Sequence, residues 1–66
     1  MENTINVERA ILRLTQDELA KKIGVSRQTI NSIEANRYAP STVLALKLSE
    51  IFGKPVNEFF SLTKED

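Results

Sequence analysis

The 66-residue sequence contains no cysteine and no histidine. Without thiols it can form neither a disulfide staple nor a thiolate zinc site. Without imidazole it lacks the commonest general base and the commonest metal ligand. There are only two glycines and two prolines and no low-complexity tract, which favours a compact helical chain over disorder. No run of about 18 apolar residues occurs, so no segment is long enough to span a membrane. The N-terminus shows no basic region followed by an apolar one, the mark of a secretion signal, so a cytoplasmic location is expected. No glycine-rich phosphate loop is present. Asp17 and Glu18 are neighbouring carboxylates, but adjacent helix positions do not face each other. The serines and threonines have no histidine to activate them. An enzyme is not expected, and neither is a cofactor, a metal or a small-molecule ligand.

What is present fits one domain over residues 1–66, with no linker and no internal repeat. A chain this short buries only about 60% of its unfolded surface and is marginal alone. Pairing with a second copy is a common remedy. The formal net charge is zero, which by itself argues against a nucleic-acid partner. The charge is unevenly spread, however. Residues 9–37 carry six bases (Arg9, Arg13, Lys21, Lys22, Arg27, Arg37) against three acids, and the segments on either side are net negative. The modest excess predicts weak non-specific binding to a polyanion and a shallow salt dependence per subunit.

That basic segment contains the most ordered pattern in the chain, Gln16 to Ala35. Thr15 with Glu18 three residues on reads as a capping box, which starts a helix. Leu19, Ala20 and Ile23 form its apolar stripe. Gly24 accepts the left-handed backbone of a sharp turn. Ser26 is the next N-cap, worth about 1 kcal/mol over alanine. Ile30 and Ile33 then face inward on a second helix. At about 100° per residue, Gln28, Asn31, Ser32 and Ala35 face away from them. Arg27 fans out from the helix start. A solvated helix usually carries Glu and Lys; this one carries Arg, Gln, Asn and Ser, which make directional hydrogen bonds.

Counted from Gln16, a small residue stands at position five and glycine at position nine. Apolar residues stand at positions four, eight, ten, fifteen and eighteen. This spacing resembles the helix-turn-helix of the XRE/Cro–CI family of DNA-binding regulators. The run Val25-Ser26-Arg27-Gln28-Thr29-Ile30-Asn31 is similar to the small stand-alone members. So is Ala39-Pro40-Ser41 followed by Leu44-Ala45-Leu46-Lys47. The resemblance covers about Ile5 to Phe60. It implies an all-α, five-helix, lambda-repressor-like domain with the helix-turn-helix at 16–35.

Within that frame the first helix is predicted from about Val7 to Arg13. Ile5, Arg9 and Leu12 make one line along it, and Val7, Ile11 and Leu14 another; periodicity does not choose between them. The resemblance favours the first, with Arg9 turned inward to meet Glu34 as a structural ion pair. Glu8 departs from the leucine many members carry. Asn36 stands where many have glycine, and asparagine is the second choice for a left-handed cap. Arg37 to Pro40 is a loop, because the residue before proline avoids helix. Ser41 caps a fourth helix, about Thr42 to Phe52, which Gly53 ends. Pro55 is placed to open a fifth, about Val56 to Phe60.

The resemblance implies that Arg27, Gln28 and Asn31 read bases of double-stranded DNA. Arginine can donate twice to guanine O6 and N7, and Gln or Asn can pair with adenine N6 and N7. Ser32 is short and reaches only a thymine methyl or a water. Thr15 and Gln16 stand at a helix start, where backbone donors and the dipole suit a phosphate. Ser26, Thr29, Arg37 and Tyr38 flank the reading helix as further backbone contacts. Val56, Phe59, Phe60 and Leu62 are the last apolar group and cover more than one helix face. An exposed remainder there marks a partner surface, so a homodimer through residues 56–64 is expected. Two alternatives share the fold. One is an antitoxin or restriction-controller protein with a partner protein. The other is an interaction module that no longer contacts DNA.

Overall fold

The computed structural model describes residues 1–66. Strand β1 (Glu2–Asn3) leads into helices α1 (Ile5–Leu12), α2 (Gln16–Ile23), α3 (Arg27–Glu34) and α4 (Thr42–Phe52). A single 3₁₀ turn (Val56–Glu58) and strand β2 (Phe60–Ser61) close the chain. The core is Ile5, Leu19, Ala20, Ile23, Ile30, Ile33, Leu48, Phe52, Phe59 and Phe60. Every helix contributes to it, so α2 and α3 are held as a rigid pair on a platform made by α1 and α4.

Local signals set most helix ends. The Thr15 hydroxyl accepts from the Glu18 N–H, and the Glu18 carboxylate accepts from the Thr15 N–H, each at 3.0 Å. Gly24 ends α2 in the left-handed region at φ 76°. Ser26 and Ser41 cap α3 and α4 by accepting from Thr29 and Leu44 N–H groups. Asn36 takes the left-handed position after α3, at φ 61°.

Two departures occur, the first with a local cause and the second with a tertiary one. Helix α1 starts at Ile5 rather than Val7, because the Asn3 side chain accepts from the Ile5 N–H at 3.2 Å. It stops at Leu12, with Arg13 left-handed at φ 58°. That conformation costs a non-glycine residue about 1 kcal/mol. The fifth helix expected over Val56–Phe60 is not formed, and the five-helix count becomes four helices and one 3₁₀ turn. After that turn the chain extends and pairs antiparallel with the N-terminus, Glu2 opposite Ser61 and Asn3 opposite Phe60. The Thr4 N–H adds a bond to the Phe59 carbonyl at 3.0 Å. Hydrogen bonds to the N-terminal strand replace those a helix would have made, and both phenylalanine rings reach the core.

On α1 the inward side is Ile5 and Glu8, with Arg9 beside them; Val7, Ile11 and Leu12 are exposed. The Glu8 carboxylate is buried and meets Lys54 Nζ at 2.9 Å. This charged pair ties α1 to the segment after α4. Lys47 on α4 donates to the Ile23 carbonyl at 3.3 Å, placing a cation at the negative end of α2.

Candidate nucleic-acid interface

Helix α3 is buried along Ile30 and Ile33 and open on the opposite side. Arg27, Gln28 and Asn31 are exposed there, and Thr29 and Ser32 are half-buried. Ser26 anchors the start twice: its oxygen accepts from the Thr29 N–H at 3.1 Å and lies 2.9 Å from the Thr29 hydroxyl. The first turn is therefore stiff where the long side chains depart.

Three shallow depressions surround the helix. Arg9, Thr15, Gln16, Asp17 and Arg27 line the first, at the start of α2. Gln16, Arg27, Gln28 and Asn31 line the second. Ser26, Gln28, Thr29, Ser32 and Tyr38 line the third, on the other flank. Gln16 and Arg27 belong to two of them, so the N-terminus of α2 and the exposed side of α3 form one continuous surface. Tyr38 is exposed in the loop beyond α3, next to exposed Arg37. Among the polar side chains of this surface, Thr15, Gln16, Ser26, Thr29 and Asn31 hydrogen-bond within the chain. Arg27, Gln28, Ser32, Arg37 and Tyr38 do not, and their donors and acceptors remain available.

Beneath the surface, Arg9 and Glu34 meet in a two-pronged pair. Arg9 Nε donates to Glu34 Oε2 at 2.7 Å and Nη2 to Oε1 at 3.0 Å. The third guanidinium nitrogen, Nη1, donates to the Leu14 carbonyl at 3.0 Å. The Glu34 hydrogen bond raises the Arg9 pKa above its ordinary value, against the opposing effect of burial. The pair joins α1, the turn before α2 and the end of α3. Gln16 extends it, with Nε2 3.4 Å from both Glu34 Oε1 and Asn31 Oδ1.

Two features of the site carry no sequence signal. Asn3 Nδ2 donates to the Ile33 carbonyl and to Asn36 Oδ1, each at 2.8 Å, fastening the end of α3 to β1. The Gln16–Asn31 contact is equally invisible, because nothing in the spacing reveals which amide turns toward which. The C-terminal apolar group divides. Phe59 and Phe60 are buried within the single chain, Val56 is half-buried and Leu62 is exposed. An apolar groove remains beside them, lined by Met1, Pro40, Ala45, Leu46 and Val56 among others. No group of three or more carboxylate, imidazole or thiol side chains is arranged to hold a metal ion. No helix is long and apolar enough to cross a membrane.

Comparison with known proteins agrees with this geometry. The family model described as helix-turn-helix matches residues 8–59. A protein of Methanocaldococcus jannaschii, named an uncharacterized HTH-type transcriptional regulator, is 48% identical over 60 residues, 91% of each chain. A protein of Methanothermobacter thermautotrophicus with the same description is 41% identical across this whole chain and 96% of its own. A third, from Bacillus subtilis, is 36% identical over all 66 residues of both chains. With the turn, the caps and the exposed third helix in place, the chain belongs to the helix-turn-helix family, of the XRE type.

Proposed function

We propose that this protein is a sequence-specific, double-stranded-DNA-binding transcription regulator that acts in the cytoplasm as a homodimeric repressor. The observation that carries the reading is the exposed side of α3. Arg27 and Gln28 stand there with uncommitted hydrogen-bonding groups beside Asn31, on a helix stiffened by its cap. The names of the relatives as transcriptional regulators point the same way.

In this reading α3 enters the major groove, and Arg27, Gln28, Asn31 and Ser32 meet base edges. Thr15 and Gln16 at the start of α2 offer first-turn backbone N–H groups to one phosphate strand. Ser26, Thr29, Arg37 and Tyr38 hold the backbone on the other flank. Two copies pair through the apolar groove of Pro40, Leu46 and Val56 together with Leu62. A two-fold dimer places two reading helices about 34 Å apart on a palindromic site. Doubling the phosphate contacts offsets the zero net charge. A chain that covers its operator blocks polymerase without any further domain.

Selection from a random duplex pool tests this, followed by titration of the selected DNA with Arg27→Ala. The wild type should enrich a palindrome with half-sites about one helical turn apart. Arg27→Ala should lose about 1–3 kcal/mol, concentrated at one base pair of each half-site. Failure to enrich any sequence would overturn the proposal and favour the non-DNA-binding interaction module.

A further inference from the structure

We infer that Asn3 is a positioning residue for DNA binding: its amide locks the turn after α3 and so aims Arg37 and Tyr38 at the sugar–phosphate backbone. The inference rests on the proposed DNA-reading role of α3 and deepens it. It starts from how α3 ends. The Arg37 N–H bonds to the Ser32 carbonyl and the Asn36 N–H to the Ile33 carbonyl, each at 3.0 Å. With Asn36 left-handed at φ 61°, the two bonds make a Schellman turn. Asparagine holds that backbone less easily than glycine, because it carries a Cβ. Asn3 supports the turn from outside.

The Asn3 amide can face only one way. Its Oδ1 accepts from the Ile5 N–H at 3.2 Å, and its Nδ2 donates to the Ile33 carbonyl at 2.8 Å. Both partners are backbone groups of fixed polarity, so the amide cannot be reversed. The second Nδ2 proton meets Asn36 Oδ1 at 2.8 Å, which fixes the Asn36 side chain as well. Both donors of Asn3 are thus committed to the end of α3. They come from a strand that is itself held. Asn3 stands opposite Phe60 in the β1–β2 pair, and the Thr4 N–H bonds to the Phe59 carbonyl at 3.0 Å.

Arg37 and Tyr38 leave this turn directly, and both side chains are exposed. Tyr38 lines the depression on the flank of α3 with Ser26, Gln28, Thr29 and Ser32. Arg37 and Tyr38 also border a small cavity with Asn3 and Asn36. A side chain on a fixed turn loses less freedom on meeting a phosphate than one on a mobile loop. The clasp therefore pre-organises contact with the DNA backbone. Arg27 and Gln28 stand at the opposite end of α3, so base reading there does not depend on it.

The test compares wild type with Asn3→Ser on the duplex that the wild type selects and on an unrelated duplex. A serine hydroxyl can still accept from the Ile5 N–H, but it is too short to reach Ile33. Circular dichroism at the titration temperature checks that the fold is kept. Asn3→Ser should bind both duplexes about tenfold more weakly, with the ratio between them unchanged within about twofold. The slope of log affinity against log salt should become shallower by about one per subunit, the share of one lost phosphate contact. In an Arg37→Ala/Tyr38→Ala background, Asn3→Ser should have almost no further effect on binding, while its effect on the melting midpoint persists. A merely structural role would cost the same in both backgrounds. A full loss in that background, an unchanged salt slope, or a loss confined to the selected duplex overturns the inference while leaving DNA binding intact. If the wild type selects no sequence, the DNA reading falls and the positioning role with it. A second readout needs neither DNA nor a variant. In the free wild type the backbone order parameters of Arg37 and Tyr38 should match those of α3, about 0.85, and values below about 0.6 would refute the clasp. The Asn3 side-chain amide protons should also exchange with solvent more slowly than those of exposed Asn6, and equal rates would refute it as well.

Discussion

Replacing Glu34 by alanine removes the acceptor on which three elements converge. Two hydrogen bonds to Arg9 are lost, at 2.7 and 3.0 Å, along with the longer contact to Gln16. Arg9 keeps only the Leu14 carbonyl and becomes a cation without a counter-charge. The side chains of Arg9 and Glu34 are 18% and 12% exposed, so solvent recovers part of the cost. Breaking a fully buried pair costs about 3–5 kcal/mol, so about 2 kcal/mol is expected here. At 66 residues the whole domain should be worth only about 3–10 kcal/mol. For a domain of this size, 1 kcal/mol moves the melting midpoint by about 4–8 °C, which gives a fall of roughly 8–16 °C. Glu65→Ala is the control, because the exposed Glu65 side chain has no partner and only its backbone N–H is bonded. Thermal unfolding followed by circular dichroism compares the two. The double variant Arg9→Ala/Glu34→Ala should lose less than the sum of the single losses, since each single change strands the other partner. Equal midpoints for Glu34→Ala and Glu65→Ala, or strict additivity in the cycle, would refute the reasoning.

Four further outcomes are expected. Leu46 is 57% exposed whereas Phe60 is 7% exposed, so Leu46→Glu should abolish the proposed dimer in sedimentation equilibrium with the melting midpoint nearly unchanged, and a wild type already monomeric would refute the pairing. Phe59→Ala, in contrast, removes a ring packed edge-on to Phe52 at 5.0 Å, costs about 3–5 kcal/mol and should leave the chain largely unfolded by circular dichroism; a folded monomer from Phe59→Ala would contradict the core assignment. Hydrogen bonds from the Thr15 backbone and side chain hold the Glu18 carboxyl below its ordinary pKa. Its capping contribution should be complete above the ordinary glutamate value and fade as pH falls through the lowered one, and a carbon-detected titration of Glu18 at or above the ordinary value would disprove this. Gly24→Ala meets no atom within 4 Å of the added Cβ but keeps φ at 76°, so its loss of about 1 kcal/mol in urea unfolding should come from backbone conformation alone.

The sequence was most readable where the cause of structure is local. A hydroxyl and a carboxylate three residues apart make a capping box whatever surrounds them, and Thr15 and Glu18 do so here. Glycine before a second capping serine makes a turn, and Gly24 and Ser26 bound it. The inward isoleucines and outward polar side chains of α3 follow from its period, and α4 occupies the predicted Thr42–Phe52. Spacing on that scale was enough to indicate the family.

The C-terminus departs from its local sequence pattern because the competing partner lies at the far end of the chain. Pro55 and the residues after it read as a helix start, but residues 60–61 meet residues 2–3 and become a strand. The burial of Glu8 was hidden for the same reason, since its partner Lys54 lies 46 residues away. The final apolar cluster looked like one surface, and only packing separates the phenylalanines inside the core from Leu62 outside it. What the sequence alone determined is the set of short-range choices: where helices start and stop, and which face of each is apolar. The resemblance already implied the pairing of Arg9 with Glu34; what tertiary structure alone decided is the pairing of the other distant polar groups, Glu8 with Lys54, Asn3 with Ile33 and Gln16 with Asn31. Hydrogen-bond periodicity along a helix acts over three or four residues, whereas a buried donor takes whichever acceptor the fold brings within about 3 Å.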